Sequence, residues 1–437
     1  MLESLKEKKW TGLFFTGQSE SEDGFAGELS YSFEQGVLLK YLSLKEIDNF
    51  GSLYGILSSG EKCTLTNVRT YTKNYVPRLK NGLRSYPGTI SHQFLIVGDH
   101  LDETQLIGSV DFSLTNLQEF FFPEGRKDFV KFQSCPLLDI KSEYGRIKIT
   151  NTATFESFHK QKASGLFYSD DSRVLDELQS YLDQVAEKYP DSNLDIKKEI
   201  SFQVNLEFDS NVKVEEAYKH VESLSNLFSI LLYCPVFPDE ITAQKYSEEY
   251  QHLNIYPSVV RDQRTVKLSI KRRSHYGVSI THSDINLEEV ISKWLGLAGR
   301  FPTLISSIQR DTGYIDLHSA YGEFILLATQ LEAITKEDSK DKREKYTYPI
   351  GQYATKEILE HVEWIFLKAE KTDIGSAISD LRGELAHIYR PQTLLNTLGF
   401  SDIANLCQYL QMTILGFALT KLGIDRGIID KYQNQII

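Results

Sequence analysis

Residues 374–390 read IGSAISDLRGELAHIYR. The apolar residues Ile374, Ile378, Leu381, Leu385 and Ile388 are spaced by four, three, four and three. That is the period of a helix burying one face. The spacing predicts a helix over 374–388 that Pro391 stops. Arg382 lies off the apolar face. His387 follows five residues later, ~7.5 Å along the axis and ~140° around it if the helix continues. The two can flank one cleft when a second helix, or a second copy of this one, crosses between them. Gly383 sits in the helix interior, where glycine costs ~1 kcal/mol relative to alanine. A close approach of another backbone or of a ligand is a physical reason for a glycine there.

Outward from this segment the same period recurs. Helices are expected over Leu287–Gln309, with a kink at Pro302, and over Leu317–Thr335, Tyr353–Glu370 and Ser401–Leu422. The charged run KEDSKDKREK (336–345) between them reads as an exposed loop. Five helices over about 150 residues make a compact bundle of normal domain size.

The front of the chain has another rhythm. Short alternating stretches, Trp10–Phe15, Gly27–Phe33, Val37–Leu42, Cys63–Val68, Gln93–Val97, Leu106–Phe112 and Gly145–Ile149, are separated by breaks at Gly36, Gly51, Gly60 and Gly88. Many short strands with turn signals predict an antiparallel sandwich or barrel. The middle is mixed: helical spacing over Val174–Lys188 and Val214–Leu232, clean alternation over Ile200–Phe208, and a strand at Val266–Ile270. The fold class is therefore α+β. A β-rich region with a mixed middle segment occupies 1–280, with a sub-boundary near 165, and an all-α bundle occupies 281–437.

Composition narrows the function. The 437 residues carry a net charge of −12, and 41% are hydrophobic. This is a globular protein without the basic excess of a nucleic-acid-coating one. Within 281–437, 16 Lys and Arg stand against 21 Asp and Glu, so the bundle is acidic too. Four separated cysteines form no CxxC pair. No signal peptide and no membrane span is apparent, which predicts a soluble, cytoplasmic protein without membrane partners. The sequence shows no P-loop, HExxH or Rossmann turn, and nothing in it calls for a metal or cofactor.

An arginine and a histidine suit RNA cleavage. RNA carries its own nucleophile, the 2'-hydroxyl. A histidine titrating near neutral pH can take or donate the proton, and a guanidinium can neutralise charge on the phosphoryl oxygens. Other candidates surround the pair. Glu332 on the preceding helix can orient Arg382 across the bundle. Tyr389 can touch substrate. The basic strand Arg261–Arg273 (RDQRTVKLSIKRR), with Arg261, Arg264, Lys267, Lys271, Arg272 and Arg273, can contact RNA or a partner, or simply guard a sheet edge.

The Arg382-x4-His387 pair near the end of the penultimate helix resembles the HEPN ribonuclease superfamily, and Arg382-x4-His387-x-Tyr389 looks like the variant of HEPN toxins. WTGLFF (10–15), GSLYGILSSGEKCTLTNV (51–68) and HQFLIVGDHL (92–101), followed by LATQLEAIT (327–335), resemble the ApeA type of anti-phage defence protein. The resemblance implies that Arg382 and His387 are the catalytic pair of a metal-independent endoribonuclease assembled across a homodimer or higher homo-oligomer. It implies cleavage of host RNA, tRNA among the candidates, leading to abortive infection, with a phage protein sensed by the N-terminal region. Gly383 stands where the family frequently has a polar residue, often Asn. Two other readings fit the same residues: a non-catalytic HEPN module that binds RNA, nucleotide or protein, and a toxin controlled by modification at Tyr389.

Overall fold

The computed structural model describes residues 6–17, 24–47, 51–73, 76–80, 83–101, 106–121, 135–157, 167–190, 195–245, 252–258, 277–300, 320–387 and 389–434. The strand expected at 266–270, with the rest of Arg261–Arg273, and the kink at Pro302 lie outside these residues.

Thirteen strands form one antiparallel system among the described residues. Six of them, β1 (Lys8–Phe15), β2 (Phe25–Ser32), β3 (Gly36–Ser43), β4 (Leu53–Leu57), β5 (Lys62–Lys73) and β7 (Leu83–Gly98), close into a barrel because β7 pairs with both β5 and β3. The short β6 (Val76–Lys80) pairs with β7. Alternation explains the closure. Phe25, Leu29 and Tyr31 of β2 and Val37, Leu39 and Tyr41 of β3 point into one buried cluster with Phe14, Leu53 and Leu65. Of the breaks expected at glycine, Gly36 has φ +73° at the β2–β3 hairpin. Gly88 instead lies inside β7, where a Cβ would strike the ring of Tyr41.

Beyond the barrel the sheet continues from β7 through β13 (His252–Pro257), β12 (Pro238–Lys245), β8 (Ile107–Leu114), β11 (Asp195–Val212), β10 (Gly145–Ser157) and β9 (Leu138–Ser142). His92 marks the handover. It is the last β7 residue paired with β3, and Phe94 is the first paired with β13. Ser258 spans that gap: its Oγ accepts from the Val37 N–H at 2.6 Å and donates to the His92 carbonyl at 2.5 Å. Gly36 leaves room for it, since a Cβ there would stand 2.6 Å from Ser258 Oγ.

The far side of the extended sheet is covered by α3 (Val214–Leu232), reached after α1 (Leu117–Phe120) and α2 (Ser172–Lys188). α2 matches its expected period but buries no residue fully. On α3 rests α4 (Leu287–Arg300), where Trp294 Nε1 donates to the Ser223 carbonyl at 2.8 Å. The remaining helices are α5 (Ala320–Glu337), α6 (Thr347–Tyr353), α7 (Lys356–Leu367), α8 (Ile374–Ala386), α9 (Thr393–Thr397), α10 (Phe400–Lys421) and α11 (Arg426–Asn434). The helix expected over 353–370 does not begin at Tyr353, which ends α6. A new helix starts after Thr355, whose side chain accepts from the Ile358 N–H. One continuous apolar core runs from Phe94 and Val204 through α3 and Trp294 to Phe324, Leu381 and Phe417. At the C-terminal end, Tyr432 OH donates to the Ile230 carbonyl of α3 at 2.6 Å. No described helix is long and apolar enough to cross a membrane.

Two predictions follow from the handover. Ser258→Ala strands the buried Val37 N–H and His92 carbonyl, and is expected to cost about 1–3 kcal/mol, read as a lower urea midpoint. The His92 imidazole is fully buried with neither ring nitrogen hydrogen-bonded. Burial pushes its pKa down to about 4, outweighing the opposing influence of the Thr66 backbone. Between that value and the ordinary ~6.5 of unfolded histidine, the unfolded chain binds the extra proton. Stability is therefore expected to fall as pH drops from 6.5 towards 4. His92→Leu should flatten that part of a melting-temperature profile.

Candidate functional site

The 374–390 segment folds as α8 plus a tight exit. Asp373 opens the helix, its carboxylate accepting from the Gly375 N–H. Ile374, Ala377, Ile378 and Leu381 are buried against the bundle. The helix ends one residue before the histidine. Ala386 is the last helical residue, and His387 is the C-cap in extended conformation, φ −128° and ψ 111°. The ~140° offset expected for a continuing helix thus does not apply: the chain turns outward and presents His387 to solvent. The Ile388 of the expected apolar face lies outside the described residues.

What fixes this exit is Glu384. Its buried carboxylate accepts from the backbone N–H of Leu394 at 3.0 and 3.1 Å and of Leu395 at 3.0 Å. These amides open α9, so one side chain of α8 ties the following helix back onto it. The Arg390 N–H donates to the His387 carbonyl at 3.1 Å, closing the turn. His387, Tyr389 and Arg390 are thereby held on one short exposed loop, with Tyr389 98% exposed.

Arg382 is one turn back on α8 and is held from α5. Its Nη1 donates to Glu332 Oε1 at 2.6 Å and to Tyr346 OH at 3.3 Å. The same oxygen accepts from Tyr346 OH at 2.5 Å and from Lys345 Nζ at 2.9 Å. Lys345 also lies over the Tyr346 ring, 4.6 Å from its centroid. Arg382 and Glu332 each keep 31% of their side-chain surface open, so the cluster sits at the edge of the core. Because both Arg382 contacts use Nη1, Nη2 and Nε carry no protein hydrogen bond among the described residues. A guanidinium held by one nitrogen with its fork open can grip a phosphoryl group.

The electrostatics agree with this geometry. Burial pushes the Glu332 carboxyl up, but the hydrogen bonds from Tyr346 and Lys345 and the Arg382 charge outweigh it, leaving its pKa below the ordinary value. Burial first, and then the Glu332 carboxylate, push the Tyr346 phenol up. For Lys345, burial pulls the ammonium down, and Glu332 and Tyr346 more than compensate.

The structure thus brings Glu332 to Arg382, and places Gly383, His387 and Tyr389 around the same helix end. Within the chain, the close neighbour of Gly383 is the Arg390 side chain rather than another backbone. Arg261, Arg264, Lys267, Lys271, Arg272 and Arg273 lie outside the described residues. Sequence reasoning missed Lys345, Tyr346, Glu384 and Arg390. In the sequence Lys345 is only the end of a charged run, KEDSKDKREK. Glu384 followed by an N-terminal helix signal after Pro391 was the one local cue for its capping role. Among the described residues no group of three His, Cys, Asp or Glu lies close enough to hold a metal ion.

A second concave region lies in the β part. A cavity of about 320 Å³ is lined by Lys8, Tyr31, Gln203, Asp239, Asn254 and Tyr256, among others. Lys8 Nζ donates to Tyr256 OH at 3.0 Å there.

A family model described as ApeA N-terminal domain 1 matches residues 9–294, which takes in the barrel, the extended sheet, α3 and the first part of α4. No curated protein and no solved structure matches the chain.

Glu332→Ala leaves the buried Tyr346 hydroxyl without its acceptor and is expected to cost about 1–3 kcal/mol. A carboxyl with a depressed folded pKa stabilises above its unfolded pKa, and that contribution disappears as pH falls through the folded value. Glu332→Gln should therefore lose less melting temperature at pH 4 than at pH 7, relative to wild type, in thermal scans.

Proposed function

From the premise that the chain belongs to the ApeA family, which places it in anti-phage defence, we propose that its bundle is a metal-independent endoribonuclease. The observation that carries this reading is the Arg382–Glu332–Tyr346 cluster beside the exposed His387 turn. Arg382, steadied on one nitrogen, offers its remaining donors to the phosphoryl oxygens as charge builds on them. His387 moves the proton, either from the 2'-hydroxyl or to the leaving 5'-oxygen. Glu332 acts through Arg382 and is a positioning residue.

Because His387 projects from the surface, a second copy of the chain can bring a second histidine to the same phosphate. A homodimer would then supply one base and one acid. Host RNA, tRNA among the candidates, is the substrate, and its cleavage stops growth of the infected cell. The N-terminal region senses a phage protein. The unbroken core from the sheet through α3 and Trp294 into the bundle, together with the Tyr432–Ile230 bond, supports transmission of that event to the site. Modification of Tyr389 remains a second reading, favoured by its near-complete exposure beside His387.

Cells expressing the wild type should resist phage. Arg382→Ala and His387→Ala should lose resistance by about 100-fold or more in plaque counts, since each removes a group worth at least 10² in rate. Both proteins should still accumulate: His387 is exposed, and without Arg382 the Glu332 carboxylate keeps its bonds from Tyr346 and Lys345. Equal protection by all three would sink the mechanism.

A further inference from the structure

Gly383 has no obvious local reason to be glycine. Its backbone is helical and needs no positive φ, and the position is buried between Arg382 and Glu384. The explanation lies seven residues on. A Cβ at 383 would stand 2.8 Å from Arg390 Cζ and 3.3 Å from Nε, and closer still to Nη1. The Arg390 guanidinium therefore occupies the volume that any side chain at 383 would take. The loop after His387 folds back so that Arg390 lies against the helix at Gly383.

Arg390 is also unneutralised. Among the described residues its guanidinium has no carboxylate partner. The acids nearest in sequence are engaged elsewhere: Glu384 caps α9, and Asp380 pairs with Lys371 at 3.0 Å. Arg382, in contrast, shares its charge with Glu332. In a bundle with a net charge of −5, an exposed guanidinium seated over a glycine beside the histidine loop is an uncompensated anion site. Its chemistry suits the phosphodiester backbone of the RNA rather than a base edge.

We propose that Arg390 is a second phosphate-binding arginine of the RNA site, gripping a phosphate next to the scissile one, and that Gly383 exists to seat it. This assignment rests on the nuclease reading. It divides the labour between two arginines. Arg382 acts on the reacting phosphate, while Arg390 binds substrate and acts equally in ground and transition states.

The test is tRNA binding by the full chain in the His387→Ala background, followed by fluorescence anisotropy across a salt series. Arg390→Gln should weaken binding about tenfold and lower the slope of log K against log salt by about 0.7, the loss of one single-strand phosphate contact. Gly383→Ala should weaken binding similarly by displacing the guanidinium. Its melting temperature should not fall, because alanine is the better helix former. That combination separates a seating role from a merely structural one. The Gly383→Ala/Arg390→Gln double variant should bind no worse than either single variant. If the parent binds tRNA and both single variants bind with unchanged affinity and slope, the Arg390 assignment is overturned and the nuclease reading stands. If the parent does not bind tRNA at all, the Arg390 assignment fails and tRNA is struck from the candidate substrates.

Discussion

One carboxylate oxygen, Glu332 Oε1, accepts from Arg382, Tyr346 and Lys345 at once. Those donors come from α8, from the residue that opens α6 and from the loop before it, while the carboxylate is carried by α5. Without it the Tyr346 hydroxyl, on an almost fully buried residue, would lack its acceptor, and Arg382 would lose the bond that fixes its direction. Each ion pair taken alone, about a third open to solvent, is worth little. The network matters because its members are shared: moving any one of them disturbs the other two. That is how a partly exposed arginine can be held with most of its donors free.

The histidine is positioned by different means. The Arg382 end of α8 is fixed by charge, whereas the His387 end is fixed by backbone capping. Glu384 spends its charge on two amide donors of α9, so the turn carrying His387 and Arg390 is short and tied at both ends. Rigid support of this kind costs the loop conformational entropy before substrate arrives, which reduces what binding must supply. The same body of structure extends through α3 and Trp294 to the extended sheet, while the barrel packs its own separate core. α3 therefore touches both its sheet and the helices that follow, α4 through Trp294 and the C-terminal helix through Tyr432.

Much of this was legible in the sequence, and where it was not, the reason is physical. Alternation located the barrel strands because Phe25, Leu29 and Tyr31, or Val37, Leu39 and Tyr41, must face a closed interior. The 4-3-4-3 spacing located α8 because one of its faces is core. The choice between sandwich and barrel was not legible, since closure depends on β7 pairing with β3 some fifty residues away. Glu332 was legible as a partner of Arg382 by helix and face. Tyr346 and Lys345 were not, because they follow a charged run that reads as a solvated loop, and only tertiary packing turns them inward. Gly383 was noticed as anomalous, but its neighbour was unreadable: a side chain seven residues later meets it only because the helix stops at Ala386 and the loop folds back.

The central claim is chemical: the 2'-hydroxyl of RNA is the nucleophile, and Arg382 and His387 serve it. The most direct measurement is the chemistry of RNA ends in phage-infected cells expressing the wild type or Arg382→Ala, sequenced after ligation selective for 2',3'-cyclic phosphates. The account predicts new cleavage sites ending in 2',3'-cyclic phosphate in the wild type that are absent from the variant. New sites ending in 3'-hydroxyl, or cyclic-phosphate ends equally abundant in the variant, would contradict it.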